Sequence, residues 1–155
     1  MENYNLDKNE LVNNAKAIID NSLPLISNLS SLACLIKESF TNASWAGFYL
    51  YDKDNKRLVI GPYQGSVACV EIKMGRGVCG TSAIKKETVI VPDVNKFVGH
   101  IACSSSTKSE IVVPIYDDRN LYGVIDLDSN DYDSFDNNDA SILENLASLM
   151  ITLWK

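Results

Sequence analysis

The chain has 155 residues, of which 46% are hydrophobic and 22% charged, a composition typical of a soluble globular protein. Fourteen Lys and Arg residues against twenty Asp and Glu residues give a net charge of −6, which argues against a nucleic-acid partner because such binders need a positive surface. The sequence has neither the roughly eighteen apolar residues of a membrane span nor a secretory signal, so we expect a cytoplasmic chain without a disulfide framework.

Two helices are predicted at the N-terminal end. The first follows a D-x-x-E cap at Asp7 to Glu10, and its apolar stripe is Leu11, Ala15 and Ile18. The second begins at Pro24 and ends near Phe40. Its apolar residues recur at helical spacing: Leu25, Leu29, Leu32 and Ile36.

The middle of the chain is rich in β-branched and aromatic residues, which predicts three strands in SWAGFYLYD, RLVIGPYQ and SVACVEIKM. The glycines of GRGVCGTSAIKKE then open a brief helix, and TVIVP follows as a strand. The segment NKFVGHIACSSSTK has no clean period and is predicted to be a loop, the kind of segment that often carries function.

The last part of the chain predicts a hairpin and a helix. SEIVVPIY and LYGVIDLD form the hairpin, and the helix carries the stripe Ile142, Leu146, Leu149 and Leu153. These elements predict an α+β fold, a largely antiparallel sheet of about six strands with the N- and C-terminal helices on one side. We expect one domain over 1–155, with helices in 1–40 and the core in 41–155. The terminal helices could pack against another copy to give a homodimer.

The segment from Gly75 to Gly80 matches the G-x-G-x-x-G dinucleotide fingerprint. The helix that it opens has only about two turns before Thr88 resumes a strand pattern, whereas a βαβ crossover needs a longer connection. A nicotinamide cofactor is therefore not expected, and the glycines are interpreted as a tight turn against the sheet.

A zinc site is a second alternative, with Cys69, Cys79, His100 and Cys103 as candidate ligands. Structural zinc sites usually bring their ligands in close pairs, but Cys69 and Cys79 are ten residues apart. Only His100 and Cys103 have a suitable spacing, so the pattern favours thiol chemistry over metal binding.

The four Cys stand in different surroundings. Cys34 lies among Leu and Ile in the second helix and is expected to be inert packing. Cys69 lies on an alternating strand and could also belong to the core. Cys79 lies at a predicted helix N-terminus, where the helix dipole lowers the pKa of a thiol. Cys103 lies in the polar loop, where a nearby His and Lys could favour its thiolate, and the pattern does not choose between Cys79 and Cys103.

Acidic residues interrupt the last strand. Asp126 and Asp128 share one of its faces, about 6 to 7 Å apart. If that face is covered, repulsion and desolvation raise at least one pKa and leave a neutral acid able to donate a proton. Glu110 joins them if residue 110 pairs with 128, whereas a slip by one residue turns it away. We expect Asp126 to be buried, and for Asp128 a solvated edge is an equal alternative.

Four motifs, WAGFYLY, VACVEIKMGRGVCG, HIAC followed by SEIVVPI, and GVIDLDS, together resemble the free methionine-(R)-sulfoxide reductases, a family built on a single GAF domain. The resemblance runs from about Ser44 through the final helix. It implies a GAF fold and reduction of the R sulfoxide of the free amino acid, with no bound cofactor or metal required. One departure is Ser104, which stands where the family commonly has an acidic residue.

The resemblance also implies roles for three thiols. Cys103 would be the nucleophile that attacks the sulfoxide sulfur, and Cys69 would be the resolving thiol. Cys79 would be an accessory thiol that takes part in recycling.

The acidic and aromatic residues of the motifs have implied roles as well. Glu110, Asp126 and Asp128 match the acidic trio that binds and protonates the sulfoxide oxygen. Trp45 and Tyr49 are candidates for the wall around the methylthio end of the substrate.

This chemistry is physically consistent. A sulfoxide oxygen is a poor leaving group until it is protonated, so a neutral acid beside it assists attack by a thiolate. The resulting sulfenic acid would condense with a second thiol to a disulfide, which thioredoxin would reduce. Two alternative functions are a non-catalytic GAF module that senses a small ligand and a thiol redox switch without a small-molecule substrate.

Overall fold

The computed structural model of the chain describes residues 6–155, which contain four α-helices and six strands. The helices are α1 (Leu11–Ile18), α2 (Leu25–Ser39), α3 (Gly77–Lys85) and α4 (Asn137–Met150). The strands are β1 (Trp45–Asp52), β2 (Arg57–Gln64), β3 (Glu71–Lys73), β4 (Val89–Val91), β5 (Ser109–Tyr116) and β6 (Leu121–Ser129). The predicted order of elements is confirmed. Within residues 6–155, no helix combines the length and the apolar composition that a membrane crossing needs.

The six strands form one antiparallel sheet in the order β3-β2-β1-β6-β5-β4. Its two hairpins, β1–β2 and β5–β6, are joined at the centre by pairing of β1 with β6. This central pairing sets Trp45 opposite Asp128, and the β5–β6 ladder sets Glu110 opposite Asp128. Because side chains alternate along a strand, all three residues point to the same face of the sheet.

The terminal helices cover the opposite face, as the sequence predicts. The core between them and the sheet includes Ile36 of α2, Phe48 of β1, Ile125 of β6 and Leu146 of α4, all completely buried. Each such side chain contributes about 1.5–3 kcal/mol when it leaves water. This core therefore anchors the sheet on which the polar face is built.

Helix α3 covers the other face. Val78 and Ala83 of α3 pack against Val112 of β5 and Val124 of β6 in a second apolar cluster. The acidic residues lie on the same face: Glu110 is two positions before Val112 on β5, and Asp126 is two positions after Val124 on β6. The acidic residues therefore lie beside a buried apolar cluster and not in open solvent.

The third predicted strand is shorter than expected, and the placement of Cys69 on it is wrong. Only Glu71–Lys73 is strand, and Cys69 lies in the irregular segment before it. Carbonyl groups of this segment accept hydrogen bonds from β1 side chains: Trp45 Nε1 donates to Ser66 O, and the Tyr49 hydroxyl donates to Cys69 O, both at 3.0 Å. The segment also accepts a backbone bond from β2, from Ile60 N to Val70 O at 3.0 Å.

Cys34 is exposed, so the prediction that it is buried packing is wrong. The buried side of α2 carries Leu32 and Ile36, whereas Ser30 and Glu38, one turn on either side of Cys34, share its exposed side. Because each helical residue turns by about 100°, a residue with apolar neighbours in sequence can still face solvent.

Candidate active site

Three carboxyl groups from adjacent strands lie together on the α3 face of the sheet. Asp126 and Asp128 are alternate residues of β6, and Glu110 of β5 pairs with Asp128. Glu110 is 6% exposed and Asp126 is 5% exposed, while Asp128 is partly buried. The register is therefore the one that brings Glu110 to the two Asp residues. The predicted burial of Asp126 is confirmed, and Asp128, for which a solvated edge was the alternative, is partly buried.

A disulfide joins Cys69 to Cys103, whose Cα atoms are 5.4 Å apart. Cys69 belongs to the segment between β2 and β3, and Cys103 belongs to the loop that precedes β5. The bond connects residues 34 apart in sequence and holds two irregular segments together over the face that carries the acids. Both cysteines therefore lie outside the helices and strands.

A cavity of about 30 Å³ lies beneath this disulfide. Seven of the eight residues selected from the sequence line it, and the eighth, Cys69, is bonded to one of them. The seven are Trp45, Tyr49, Cys79, Cys103, Glu110, Asp126 and Asp128. Sites for small molecules usually have volumes of about 300 Å³ or more. The cavity between the acids and the disulfide is much smaller than this.

Cys79 and His100 lie on either side of the Glu110 carboxyl group. Cys79 Sγ is 3.9 Å from Glu110 Oε1, and His100 Nε2 is 3.5 Å from Glu110 Oε2. His100 therefore lies beside the carboxyl group of Glu110. Lys108, which the sequence placed near Cys103, does not line the cavity and instead holds its Nζ over an aromatic ring, 5.3 Å from the ring centroid.

Burial raises the pKa of the Cys79 thiol well above its ordinary value of 9.0, so the expected lowering by the helix dipole is wrong. Cys79 is the third residue of α3, but it is only 3% exposed. Desolvation raises its pKa most, and the charges of Asp126 and Glu110 raise it further. These effects outweigh the dipole because they act in a dry site.

The same surroundings raise the pKa of all three acids, with desolvation as the largest cause for each. The pKa of Glu110 rises from 4.5 to about 8, since burial and the charge of Asp128 outweigh opposing hydrogen bonds. The pKa values of Asp126 and Asp128 lie well above 3.8. At neutral pH Glu110 is therefore a neutral carboxylic acid that can donate a proton.

Trp45 and Tyr49 form an aromatic wall beside the acids. Their ring centroids are 6.1 Å apart, and Tyr63 of β2 stacks on the other side of Trp45 at 5.2 Å. Tyr63 is not among the site residues predicted from the sequence. Its position depends on the β1–β2 register, which pairs it with Gly47 and shifts between Gly47 and Tyr49, and no local pattern shows such a shift.

The four-ligand zinc set considered from the sequence is not assembled, because Cys69 and Cys103 are bonded to each other. A different group comes together instead. The Sγ atom of Cys79 and carboxylate oxygens of Glu110 and Asp126 all lie within 4.8 Å of one another. Spacing in sequence could not indicate this group because its members come from three separate elements.

Comparison with known proteins gives a consistent result. The GAF domain family matches residues 25–152. GAF domain-containing protein A of Dictyostelium discoideum is 50% identical over 125 residues, which cover 81% of this chain and 78% of that protein. The free methionine-R-sulfoxide reductase of Saccharomyces cerevisiae is 46% identical over 156 residues, covering 94% of this chain and 87% of the yeast protein.

A solved structure agrees as well. The X-ray structure of free methionine-R-sulfoxide reductase from Neisseria meningitidis, in complex with its substrate, superimposes with a TM-score of 0.89. It is 39% identical and covers 95% of this chain and 88% of that chain.

The match over residues 25–152 and the six-stranded antiparallel sheet make this chain a GAF-domain protein, as the resemblance implied. The yeast and N. meningitidis relatives extend the likeness over more than nine-tenths of the chain, at 46% and 39% identity. Within the GAF proteins, the chain belongs to the free methionine-R-sulfoxide reductase family.

Proposed function

We propose that this chain reduces free methionine-(R)-sulfoxide to methionine, with Cys103 as the nucleophile. The relatives from yeast and N. meningitidis are named for this activity. The observation that supports the proposal most is the Cys69–Cys103 disulfide, which lies over a cavity lined by three acids with raised pKa values.

The proposed reaction transfers the sulfoxide oxygen to a cysteine. The Cys103 thiolate attacks the sulfoxide sulfur while a carboxyl group protonates the oxygen. The oxygen then passes to the Cys103 sulfur as a hydroxyl group: its bond to the substrate sulfur and the transient bond between the two sulfurs break, methionine leaves two electrons richer, and Cys103 is left as a sulfenic acid. The Cys69 thiol then attacks the Cys103 sulfur, and water leaves as the disulfide forms.

The acids supply the proton that this reaction needs. A positioned general acid typically accelerates such a step by about 10²–10⁴-fold. Asp126 and its neighbour Glu110 are almost completely buried, at 5% and 6% exposed. The pKa of Glu110 is raised to about 8. Glu110 can therefore stay protonated at neutral pH, and burial raises the pKa of Asp126 as well, which favours its protonated form.

The aromatic wall is proposed to receive the methylthio end of the substrate. Trp45 and Tyr49 line the cavity next to Asp126 and Asp128. Because the cavity has only about 30 Å³ in the disulfide form, substrate is expected to bind after reduction has released Cys69 from Cys103.

Recycling requires an external dithiol that exchanges with the Cys69–Cys103 bond. We propose thioredoxin, whose potential of about −270 mV suits a cytoplasmic reductant, and with it a cytoplasmic location. Cys79 is proposed as an accessory thiol, since its raised pKa disfavours it as the attacking thiolate. A homodimer through the terminal helices stays a prediction that sedimentation velocity can test.

Reaction of the reduced protein with one equivalent of each epimer of free methionine sulfoxide tests the activity. We expect the R epimer to give one equivalent of methionine together with a Cys69–Cys103 disulfide mapped by peptide mass spectrometry, and the S epimer to give neither. Cys34→Ser is the control, because Cys34 is an exposed residue of α2 on the far side of the sheet. Absence of methionine with both epimers would refute the activity.

A binding titration with the R epimer and a parallel reaction with a simple oxidant separate the alternative functions. Saturable binding of the R epimer without methionine formation would indicate a sensor of small ligands. A disulfide that forms as readily with a simple oxidant, with no methionine released from the sulfoxide, would indicate a redox switch.

A further inference from the structure

The cluster of Cys79, Glu110 and Asp126 has the dimensions of a metal-binding site. The candidate ligand atoms lie within 4.8 Å of one another, and all three residues are buried. Zinc binds sulfur at about 2.3 Å and carboxylate oxygen at about 2.0–2.2 Å, so a tetrahedral site places the two ligand atoms about 3.6 Å apart. The observed distance from Cys79 Sγ to Glu110 Oε1 is 3.9 Å, only slightly longer.

An unpartnered oxygen points into this cluster. Asp126 is 5% exposed, and its Oδ1 atom has no hydrogen-bond partner among residues 6–155. A buried polar atom without a partner costs about 1–3 kcal/mol. Asp126 lines the cavity, so a ligand held there would satisfy this atom.

The size of the cavity limits which ligand fits the disulfide form. A volume of about 30 Å³ is small for an amino acid, but it exceeds the roughly 10–15 Å³ that one water molecule needs, so a small ion fits. One thiolate and two carboxylates suit a borderline cation such as Zn²⁺ better than the hard cations Mg²⁺ and Ca²⁺, which take oxygen ligands only. His100 Nε2 lies 3.5 Å from the second Glu110 oxygen, where it can orient the carboxylate.

We propose that the disulfide form of this protein binds one zinc-class divalent cation through Cys79, Glu110 and Asp126, with water as the fourth ligand. Binding releases the protons that the thiol and the carboxyl groups carry. The consequence for catalysis rests on the proposed function. A cation bound here displaces the protons of Glu110 and Asp126, so these acids can no longer protonate a sulfoxide oxygen. The oxidised enzyme would thus be held in a metal-bound resting form.

Cobalt titration of the disulfide form tests the proposal directly. Cys34 and Cys79 are the only free thiols of this form, so a Cys34→Ala background leaves Cys79 as the single thiol ligand. We expect Co²⁺ to produce a sulfur-to-cobalt charge-transfer band that saturates at one equivalent and disappears when Zn²⁺ is added.

Two further variants in the Cys34→Ala background locate the site. Cys79→Ser should abolish the band, and Asp126→Asn should weaken Co²⁺ binding by at least about tenfold while the band remains, since its thiol is intact. Circular dichroism establishes that each variant is folded, and Asp126→Asn decides the question if Cys79→Ser does not fold. No band in the Cys34→Ala protein, a band that survives Cys79→Ser, or unchanged affinity in Asp126→Asn would overturn the proposal.

The readout does not depend on enzyme activity. A protein that binds Co²⁺ through Cys79 but fails to reduce the sulfoxide would refute the proposed function and support the metal site. A protein that reduces the sulfoxide but shows no cobalt band would do the reverse.

Discussion

Glu110, Asp126 and Asp128 lie on a sheet face that is otherwise apolar. Val112 and Val124, on the same face of the same strands, belong to the buried cluster beneath α3. Carboxyl groups at such positions do not stabilise the fold, because their ionised forms lose hydration there. Under the proposed function, these groups act as proton donors next to Cys103, a role that accounts for their placement on this face.

At the residue scale, Cys103→Ser should abolish turnover of free methionine-(R)-sulfoxide. A serine hydroxyl is a far weaker nucleophile, so we expect a loss of about a thousandfold or more in kcat/KM. The rate is measured in an assay coupled to thioredoxin, with Cys34→Ser as the control. Near-normal turnover by a folded Cys103→Ser protein would remove Cys103 from the role of nucleophile.

Asp126→Asn should slow the chemical step more than it weakens binding. The amide cannot supply the proton, and we expect the single-turnover rate to fall by about 10²–10³-fold while KM changes little. The matched control is Asp131→Asn, which removes an exposed carboxyl just beyond β6. Equal single-turnover rates in Asp126→Asn and the wild type would contradict a proton-donating role.

The raised pKa of Glu110 also predicts how stability depends on pH. Its pKa is about 8 in the folded state against an ordinary value of 4.5, so between these values the native state holds a proton that the unfolded chain has lost. The free energy of unfolding should therefore fall as pH rises through this window, by up to about 1.4 kcal/mol per pH unit for this group. Chemical denaturation between pH 5 and 8 measures the slope.

Glu110→Gln should flatten this dependence, because it removes one of the groups that titrate. Asp131→Asn is the control, because it also removes a carboxyl group but from an exposed position. An identical slope in Glu110→Gln and the wild type would show that Glu110 is not held protonated by its surroundings.

At the scale of elements, α4 is held by a capping box at its N-terminus. The Asp136 side chain accepts a hydrogen bond from Asp139 N at 2.9 Å, and Asp139 Oδ2 accepts one from Asp136 N at 3.0 Å. Two donors that the helix leaves unsatisfied at its start are thereby paired. The helix lies on the face opposite the acids, so this cap serves the fold and not the site.

Asp136→Ala should therefore lower the free energy of unfolding by about 1 kcal/mol and leave sulfoxide reduction unchanged. Asn138→Ala is the control, because Asn138 is exposed in the same helical turn and its side chain is not part of the capping box. Urea denaturation measures the difference. If both substitutions cost the same, the cap contributes nothing beyond helix propensity.

At the scale of the whole molecule, the Cys69–Cys103 disulfide closes a loop between residues 34 apart. A cross-link over this span restricts the unfolded chain and contributes about 3–4 kcal/mol in the chain-entropy treatment. The catalytic cycle would therefore alternate between a more stable oxidised form and a less stable reduced form.

Addition of a dithiol should lower the free energy of unfolding by up to about 3–4 kcal/mol, measured in guanidinium chloride. Cys69→Ala cannot form the disulfide and should unfold at the same denaturant concentration with and without the dithiol. Equal stability of the wild type under both conditions would show that the bond does not constrain the unfolded chain.

Much of this molecule is encoded locally. The order of helices and strands follows from apolar periodicity and caps over a few residues, and the reactive residue types are visible in the same segments. The exposure of Cys34 shows the limit of such patterns, because the solvent side of α2 depends on how the helix packs on the sheet. The short β3 shows the same limit of local patterns. The segment before it accepts hydrogen bonds from the side chains of Trp45 and Tyr49, which are distant in sequence.

The α+β fold, the thiols and acids, and the family that they resemble follow from residue types and their periodicity along the chain. The register that sets Glu110 opposite Asp128, and the group formed by Cys79, Glu110 and Asp126, depend on the folded arrangement. Cys79 and Glu110, for example, are 31 residues apart in the chain. Contacts over such separations depend on strand pairing and on packing across the whole sheet, which periodicity within one segment does not specify.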